Sequence, residues 1–229
     1  MGKAIEKIAL ENGDEVVLKI DDTNLDQFNS ENLQKADVAI EFTTPETGYD
    51  NIQKCIKAGV PIVSGTTGWL DKFDTIKNLC ESESGAFFYA SNFSLGVNIF
   101  FKINSFLAKV MNNFPEFDID INETHHIHKL DAPSGTAITT AEGIIEQIER
   151  KSGWEKENAS DGSKIAIKSH RIGEHPGEHV VKYESPIESI QISHSSKSRQ
   201  GLALGAYMAA KFLVGKKGVF GMDDLLQLG

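Results

Sequence analysis

The chain has 229 residues, 40% of them apolar and 24% charged, with a formal net charge of −10. That composition is close to the average of folded proteins and excludes disordered and fibrous chains, and the length allows one large core or two modest ones. The acidic balance argues against nucleic acid, which draws on clustered Lys and Arg, and no apolar run approaches the roughly 20 residues that span a bilayer. The N-terminus lacks the apolar core of a secretory signal, so a cytoplasmic address without membrane association is expected. Cys55 and Cys80 belong to no CxxC pair and fall in helix-like segments, which favours buried thiols over a disulfide.

In chain order, Ala4, Ile5, Ile8 and Ala9 recur at helical spacing over residues 2–12, with Gly13 as the cap. Residues 15–20 (EVVLKI) and 37–42 (DVAIEF) predict buried strands. A helix over 47–58 stopped by Gly59, a strand over 60–63, a helix over 70–81 and a strand over 86–90 follow. This alternation marks a parallel sheet wrapped by helices. Then come a long helix near 97–112, a strand over 117–124, a helix over 137–151 and a polar stretch over 152–163. Strand-like runs at 164–171, 178–183 and 188–194 follow without helices between them, predicting an antiparallel portion and a second domain. A small-residue-rich helix spans 201–214, followed by a turn over 215–218 and a short tail.

The expected fold class is α/β: a Rossmann-like parallel-sheet domain, its first strand missing by comparison with the family that the residues below resemble, plus an α/β domain with a mixed, partly antiparallel sheet. The boundaries are 1–95, 96–199 and 200–229, the last a C-terminal helix and tail; the family that the residues below resemble makes the first the dinucleotide-binding domain and the second the substrate-binding and oligomerisation domain, with the last segment returning to the first.

Chemistry concentrates in residues 123–136 (ETHHIHKLDAPSGT), between a strand end and a helix start. On an extended backbone His126 and His128 share one face and His125 takes the other, while Lys129 can swing to either. Ser134, Gly135 and Thr136 open the helix, where unpaired N–H groups and the helix dipole make an anion site. With Lys129 as a second cation, the loop can hold a small dicarboxylate while a histidine supplies a proton. Two rival readings are a plain helix N-cap and a metal centre built on His125, His126 and His128, completed from the histidines at 170, 175, 179 and 194. The first leaves the cations unexplained. The second places Lys129 beside a metal and lacks an HExxH motif; it would make the chain a metal-dependent hydrolase.

Residues 125–129 (HHIHK) followed by 131–136 (DAPSGT) closely resemble the signature of the 4-hydroxy-tetrahydrodipicolinate (dihydrodipicolinate) reductase family, which serves diaminopimelate and lysine synthesis. Segments 41–46 (EFTTPE), 65–68 (GTTG), 91–98 (SNFSLGVN), 171–175 (RIGEH), 177–179 (GEH) and 198–199 (SR) agree in order, so the resemblance covers essentially the whole chain. It implies a homotetramer assembled through sheets of the second domain, NADH or NADPH as cofactor, and closure of one domain over the other. It implies further that His125 is catalytic, that Lys129 is a general acid or substrate anchor, and that His126, Ser134, Gly135 and Thr136 bind the substrate carboxylates. Phe42, Thr43, Gly65, Thr66 and Thr67 would line the nicotinamide and its ribose, Ala90, Asn92 and Phe93 would lie beside the ring, and Asp21 would accept the adenosine ribose hydroxyls.

The family pattern begins with a strand and a Gly-x-Gly-x-x-Gly turn, whose third glycine aligns with Gly2. The chain is therefore expected to start inside a longer protein, with weakened nucleotide binding, and a catalytically impaired oligomeric module is the alternative. Asp21 is followed by Asp22 rather than a basic residue, which favours NADH. Arg171, Lys197 and Arg199 are open between surface charge and substrate contact.

Overall fold

The structure, a computed structural model, describes residues 1–198 and 200–227. In chain order its regular elements are α1 (Gly2–Glu11), α2 (Ser30–Leu33), β1 (Ala39–Glu41), α3 (Pro45–Lys57), β2 (Ile62–Ser64), α4 (Phe73–Ser82), β3 (Ala86–Tyr89), α5 (Leu95–Met111), β4 (Asp118–His125), α6 (Gly135–Ile145), β5 (Gly153–Lys156), β6 (Lys164–Arg171), β7 (Glu178–Glu184), β8 (Ser189–Ser195), α7 (Gln200–Leu213), β9 (Gly218–Phe220) and α8 (Met222–Leu226). The chain forms two compact units, Met1–Leu95 with Gln200–Gly229, and Gly96–Arg199.

In the first unit the sheet order is β1-β2-β3-β9, all neighbours parallel. Ile62, Val63, Phe87 and Phe88 are wholly buried, as expected of parallel strands covered on both faces. On one face α7 supplies Ala203, Ala206, Ala209 and Ala210, whose small side chains let the helix lie close to the sheet, joined by Ile5 of α1. At Gly205 the approach is closest, since a Cβ there would overlap the Phe93 carbonyl oxygen. On the other face Ile52, Cys55 and Ile56 of α3 pack with Ile76 and Cys80 of α4 around Trp69.

In the second unit β4 is central in the order β5-β6-β4-β7-β8, parallel to β6 and antiparallel to β7. Ile119 and Ile121 of β4, Ile165 and Ile167 of β6, and Val181 and Tyr183 of β7 form one buried face. Helix α6 covers it with Ala137, Ala141 and Ile144, spaced three and four apart. Burying one such large apolar side chain contributes about 1.5–3 kcal/mol.

The observed α/β class, one parallel sheet and one mixed sheet, is the expected one. Three local expectations change. Residues 15–20 form no ladder, and Val17 is 43% exposed, because β propensity makes a strand only where a neighbour supplies hydrogen bonds, and none does among the described residues. Conversely, Gly153–Lys156 in the polar stretch and Gly218–Phe220 after the last long helix become β5 and β9 by pairing with the edges of β6 and β3. Neither carries a fully buried residue, so no apolar run marks them in the sequence.

Candidate functional site

Two constellations of candidate residues stand at strand ends, one in each unit. In the second unit β4 alternates regularly, and its inward positions are Ile119, Ile121, Glu123 and His125. The apolar pattern thus runs into two ionisable residues on a buried face, a break that a packed core does not need and a functional site does. Glu123 is 0% exposed and His125 9%.

Glu123 is held asymmetrically. Its Oε1 accepts the backbone N–H of Ser134 at 3.0 Å, the Ser169 hydroxyl at 2.7 Å and Arg171 Nη2 at 3.1 Å. Its Oε2 faces His125 Nδ1 at 3.3 Å and His179 Nε2 at 3.8 Å. Burial works to raise the Glu123 pKa, but the His125 ring close to Oε2 and the hydrogen bonds from Ser134 and Ser169 outweigh it and hold the carboxyl well below the usual range. Burial first, then the nearby His125, pushes His179 down to about 4, so that ring is neutral at physiological pH. The ligand atoms of Glu123, His125 and His179 lie within 4.8 Å of one another, close enough to invite a metal. The Arg171 guanidinium on Glu123 already supplies the positive partner that a dication would otherwise provide.

Helix α6 begins directly above this carboxylate. Ser134 caps it, its Oγ accepting from Ala137 N–H at 3.2 Å and lying 3.2 Å from His179 Nε2. With the Ser134 N–H given to Glu123 and the Ala137 N–H to the cap, Gly135 and Thr136 are the first-turn N–H groups left to meet a ligand. A Cβ built on Gly135 would meet nothing within 4 Å, so the helix start opens onto free space.

Lys129 reaches Asp131 at 2.7 and 2.8 Å. Arg171 clamps the same loop by donating to the Asp131 carbonyl at 2.6 Å and the Lys129 carbonyl at 3.4 Å. His126 is half-buried, with its ring centroid 6.0 Å from that of exposed His128, which pairs with Glu174 at 3.0 Å. The structure therefore brings His125, Ser134 and His179 together around Glu123 rather than assembling His125, His126 and His128 as one ligand set. Arg199 lies outside the described residues.

In the first unit β1 and β2 end in register, Glu41 opposite Ser64. Beyond them, Phe42, Thr43, Pro45, Gly65, Thr66 and Thr67 line a cavity of about 290 Å³, with Met1, the N-cap of α1, on its rim. Buried Glu41 organises this edge by accepting hydroxyls from Ser64, Thr43 at 2.7 Å and Thr66 at 2.9 Å, while Thr66 Oγ1 accepts the Thr43 N–H at 2.7 Å. Trp69 donates to the Thr66 carbonyl at 2.7 Å. A Cβ on Gly65 would overlap the Phe42 ring, so the loop passes flat against that ring only with glycine there. Phe93 is buried with its ring centroid 5.6 Å from Phe42, and buried Ala90 donates its N–H to the Ser64 carbonyl at 3.3 Å. Asn92 Oδ1 accepts from Ser94 N–H at 2.9 Å. Gly2 is the first residue of α1. Exposed Asp21 is not among the cavity-lining residues; its Oδ1 takes the Thr23 N–H at 2.8 Å and the Thr23 hydroxyl.

Glu123, Glu41 and His179 carry both constellations, yet the sequence points to no role for Glu123 or Glu41 and to His179 only as a possible ligand in the metal reading. The signal for Glu123 was present: it lies two residues before His125 in a strand of period two, hence on the same face.

A parallel sheet bearing a hydroxyl-lined loop at its carboxyl edge, with a second unit offering imidazoles, an ammonium and an open helix start, places the chain in the class of two-unit α/β proteins with a Rossmann-like first unit. Within that class the comparisons single out one family. Models of the dihydrodipicolinate reductase N-terminus and C-terminus match residues 1–93 and 96–226. A 4-hydroxy-tetrahydrodipicolinate reductase of Christiangramia forsetii is 46% identical over 226 residues, 99% of this chain and 93% of its own. One from Archaeoglobus fulgidus is 40% identical over 202 residues, 84% of this chain and 76% of its own. A solved dipicolinate-bound dihydrodipicolinate reductase from a Paenisporosarcina species superposes with a TM-score of 0.80 at 28% identity, covering 98% of this chain and 94% of that one. The chain belongs to the dihydrodipicolinate reductase family.

Proposed function

We propose that this chain reduces 4-hydroxy-tetrahydrodipicolinate to tetrahydrodipicolinate, within diaminopimelate and lysine synthesis. The observation that carries the reading is the meeting of an imidazole, an ammonium and an open helix start at the end of one rigid strand, β4. A dicarboxylate needs two anion sites. Gly135 and Thr136 offer backbone N–H groups for one carboxylate, to which Ser134 and His126 are also assigned by the family resemblance, and Lys129 serves the other. The Asp131 carboxylate now on Lys129 occupies the place that a substrate carboxylate takes. His125 exchanges the proton, with Lys129 as the second donor in reach of the loop.

The cavity of the first unit fits a nicotinamide nucleotide. Gly65 lets the backbone approach the ligand, Phe42 forms the apolar side with buried Phe93 packed behind it, Thr67 offers a hydroxyl to a ribose, and Thr43 and Thr66, tied to Glu41, shape the loop; Ala90 and Asn92 are assigned beside the nicotinamide ring. The reduced nucleotide, when bound, supplies the hydride. Gly2 at the start of α1 is offered to the pyrophosphate and Asp21 to the adenosine ribose, and the Asp21-Asp22 pair disfavours a 2′-phosphate, so NADH is the preferred donor. The enzyme works as a homotetramer in the cytoplasm.

The test is an assay of the purified chain with 4-hydroxy-tetrahydrodipicolinate and either reduced nucleotide. Substrate-dependent oxidation, faster with NADH, is expected. No oxidation of either nucleotide by folded protein would overturn the reading.

A further inference from the structure

We propose that Glu123 is the positioning residue for proton transfer: its Oε2 fixes the His125 ring in the tautomer with hydrogen on Nδ1, leaving Nε2 as the exchanging nitrogen. The proposal rests on the reading of His125 as the proton-exchanging group and adds which nitrogen does the work and what selects it.

Four observations support it. The three donors from Ser134, Ser169 and Arg171 converge on Oε1, which leaves Oε2 for the imidazoles. Of these His125 is nearer, with Nδ1 at 3.3 Å against 3.8 Å for His179 Nε2, and Oε2 and Nδ1 are each buried without a well-directed hydrogen bond to any partner, so a proton between them is what would satisfy both. An unprotonated Nδ1 would set one lone pair against another inside a buried site, at a cost comparable to leaving a buried polar group unpaired, so the proton belongs on Nδ1. The opposite ring edge is kept clear by Gly177: at φ +145°, a Cβ on that residue would stand 3.2 Å from His125 Nε2 and cover it.

The same carboxylate holds the start of α6 through Ser134 N–H. One buried group thereby sets both the proton-exchanging nitrogen and the helix N–H groups that face a carboxylate, tying acid–base geometry to substrate placement. In the transfer itself Nε2 gains or loses the proton, the ring passing between its imidazolium and Nδ1–H forms, while Glu123 stays ionised throughout.

The diagnostic variant is Glu123→Gln. Its amide oxygen can still accept from Ser134, Ser169 and Arg171, while its NH₂ faces Nδ1 and turns the ring to the Nε2–H tautomer. Expected are a fall in kcat of about 10²–10⁴-fold, with the substrate KM changed by less than about 3-fold. In ¹⁵N-histidine spectra, with His125 assigned by comparison with His125→Gln, the wild-type chain carries the proton on Nδ1 and Glu123→Gln carries it on Nε2. A variant that keeps its kcat, or loses only substrate affinity, would overturn the proposal. A wild-type spectrum with His125 protonated on Nε2 alone would do so whether or not Glu123→Gln folds. Loss of the underlying reading looks different: there His125→Gln retains turnover, whatever the spectra show.

Discussion

Replacing His125 by glutamine is expected to lower kcat by about 10²–10⁴-fold, the usual contribution of a positioned proton donor. Glutamine keeps the polarity and much of the volume of the ring, so the strand end and its partners can stay in place. Lys129→Ala is expected to act differently. Removing the ammonium takes away a charge-assisted hydrogen bond to a carboxylate, about 1.5–3 kcal/mol, which raises the substrate KM by about 10–150-fold and lowers kcat where the same ammonium also donates a proton. Steady-state kinetics on both variants, with thermal melts to verify folding, separate the two roles. Unchanged kcat/KM in both would remove the catalytic assignment from this loop.

Gly205→Ala is expected to be the most damaging single methyl group in the first unit. A Cβ at that position overlaps the Phe93 carbonyl oxygen, a backbone atom that cannot swing aside. Either α7 must lift off the sheet or the segment that holds Phe93 against Phe42 and Phe88 must shift. Overpacking of a close-packed interior costs about 1–3 kcal/mol and more where backbone must move. Taking about 3 kcal/mol because backbone must move, and about 2–4 °C per kcal/mol for a chain of this size, a fall in Tm of roughly 6–12 °C follows. The control is Gly143→Ala in α6, where the added methyl meets nothing within 4 Å and should leave Tm unchanged or raise it. Equal melting of Gly205→Ala and the wild-type chain would show that α7 does not lie where described.

What could be read in the sequence follows from physical range. Helices such as α3 and α5 are long enough for 3.6-residue periodicity to show, and the buried β-branched and aromatic runs of β1, β2 and β3 stand out between turn residues. The strands β5 and β9, three or four residues long like β1 to β3, are illegible because each starts at a glycine and none of their residues is fully buried; each exists because a neighbouring edge offers hydrogen bonds. Residues 15–20 fail in the opposite sense, rich in β-branched side chains but without a ladder.

The same division holds for the candidate site. His125, Lys129 and Ser134 are conspicuous because protonatable and capping residues crowd one short loop. His179 and Ser169 are not, since they reach Glu123 only through the antiparallel and parallel pairings of β7 and β6 with β4, which bring together residues 46 and more positions apart in the chain. Arg171 illustrates the limit further. From sequence it is an ambiguous charge; in the fold it is spent on Glu123 and on two loop carbonyls.

The central claim is that the start of α6 and Lys129 together hold a small dicarboxylate. Calorimetric titration of pyridine-2,6-dicarboxylate into the NADH-loaded chain, compared with the monocarboxylate pyridine-2-carboxylate, tests it most directly. Saturable binding of the dicarboxylate, at least about 10-fold tighter than that of the monocarboxylate, is the expected result. Equal affinity for the two, or no binding of either by folded protein, would contradict it.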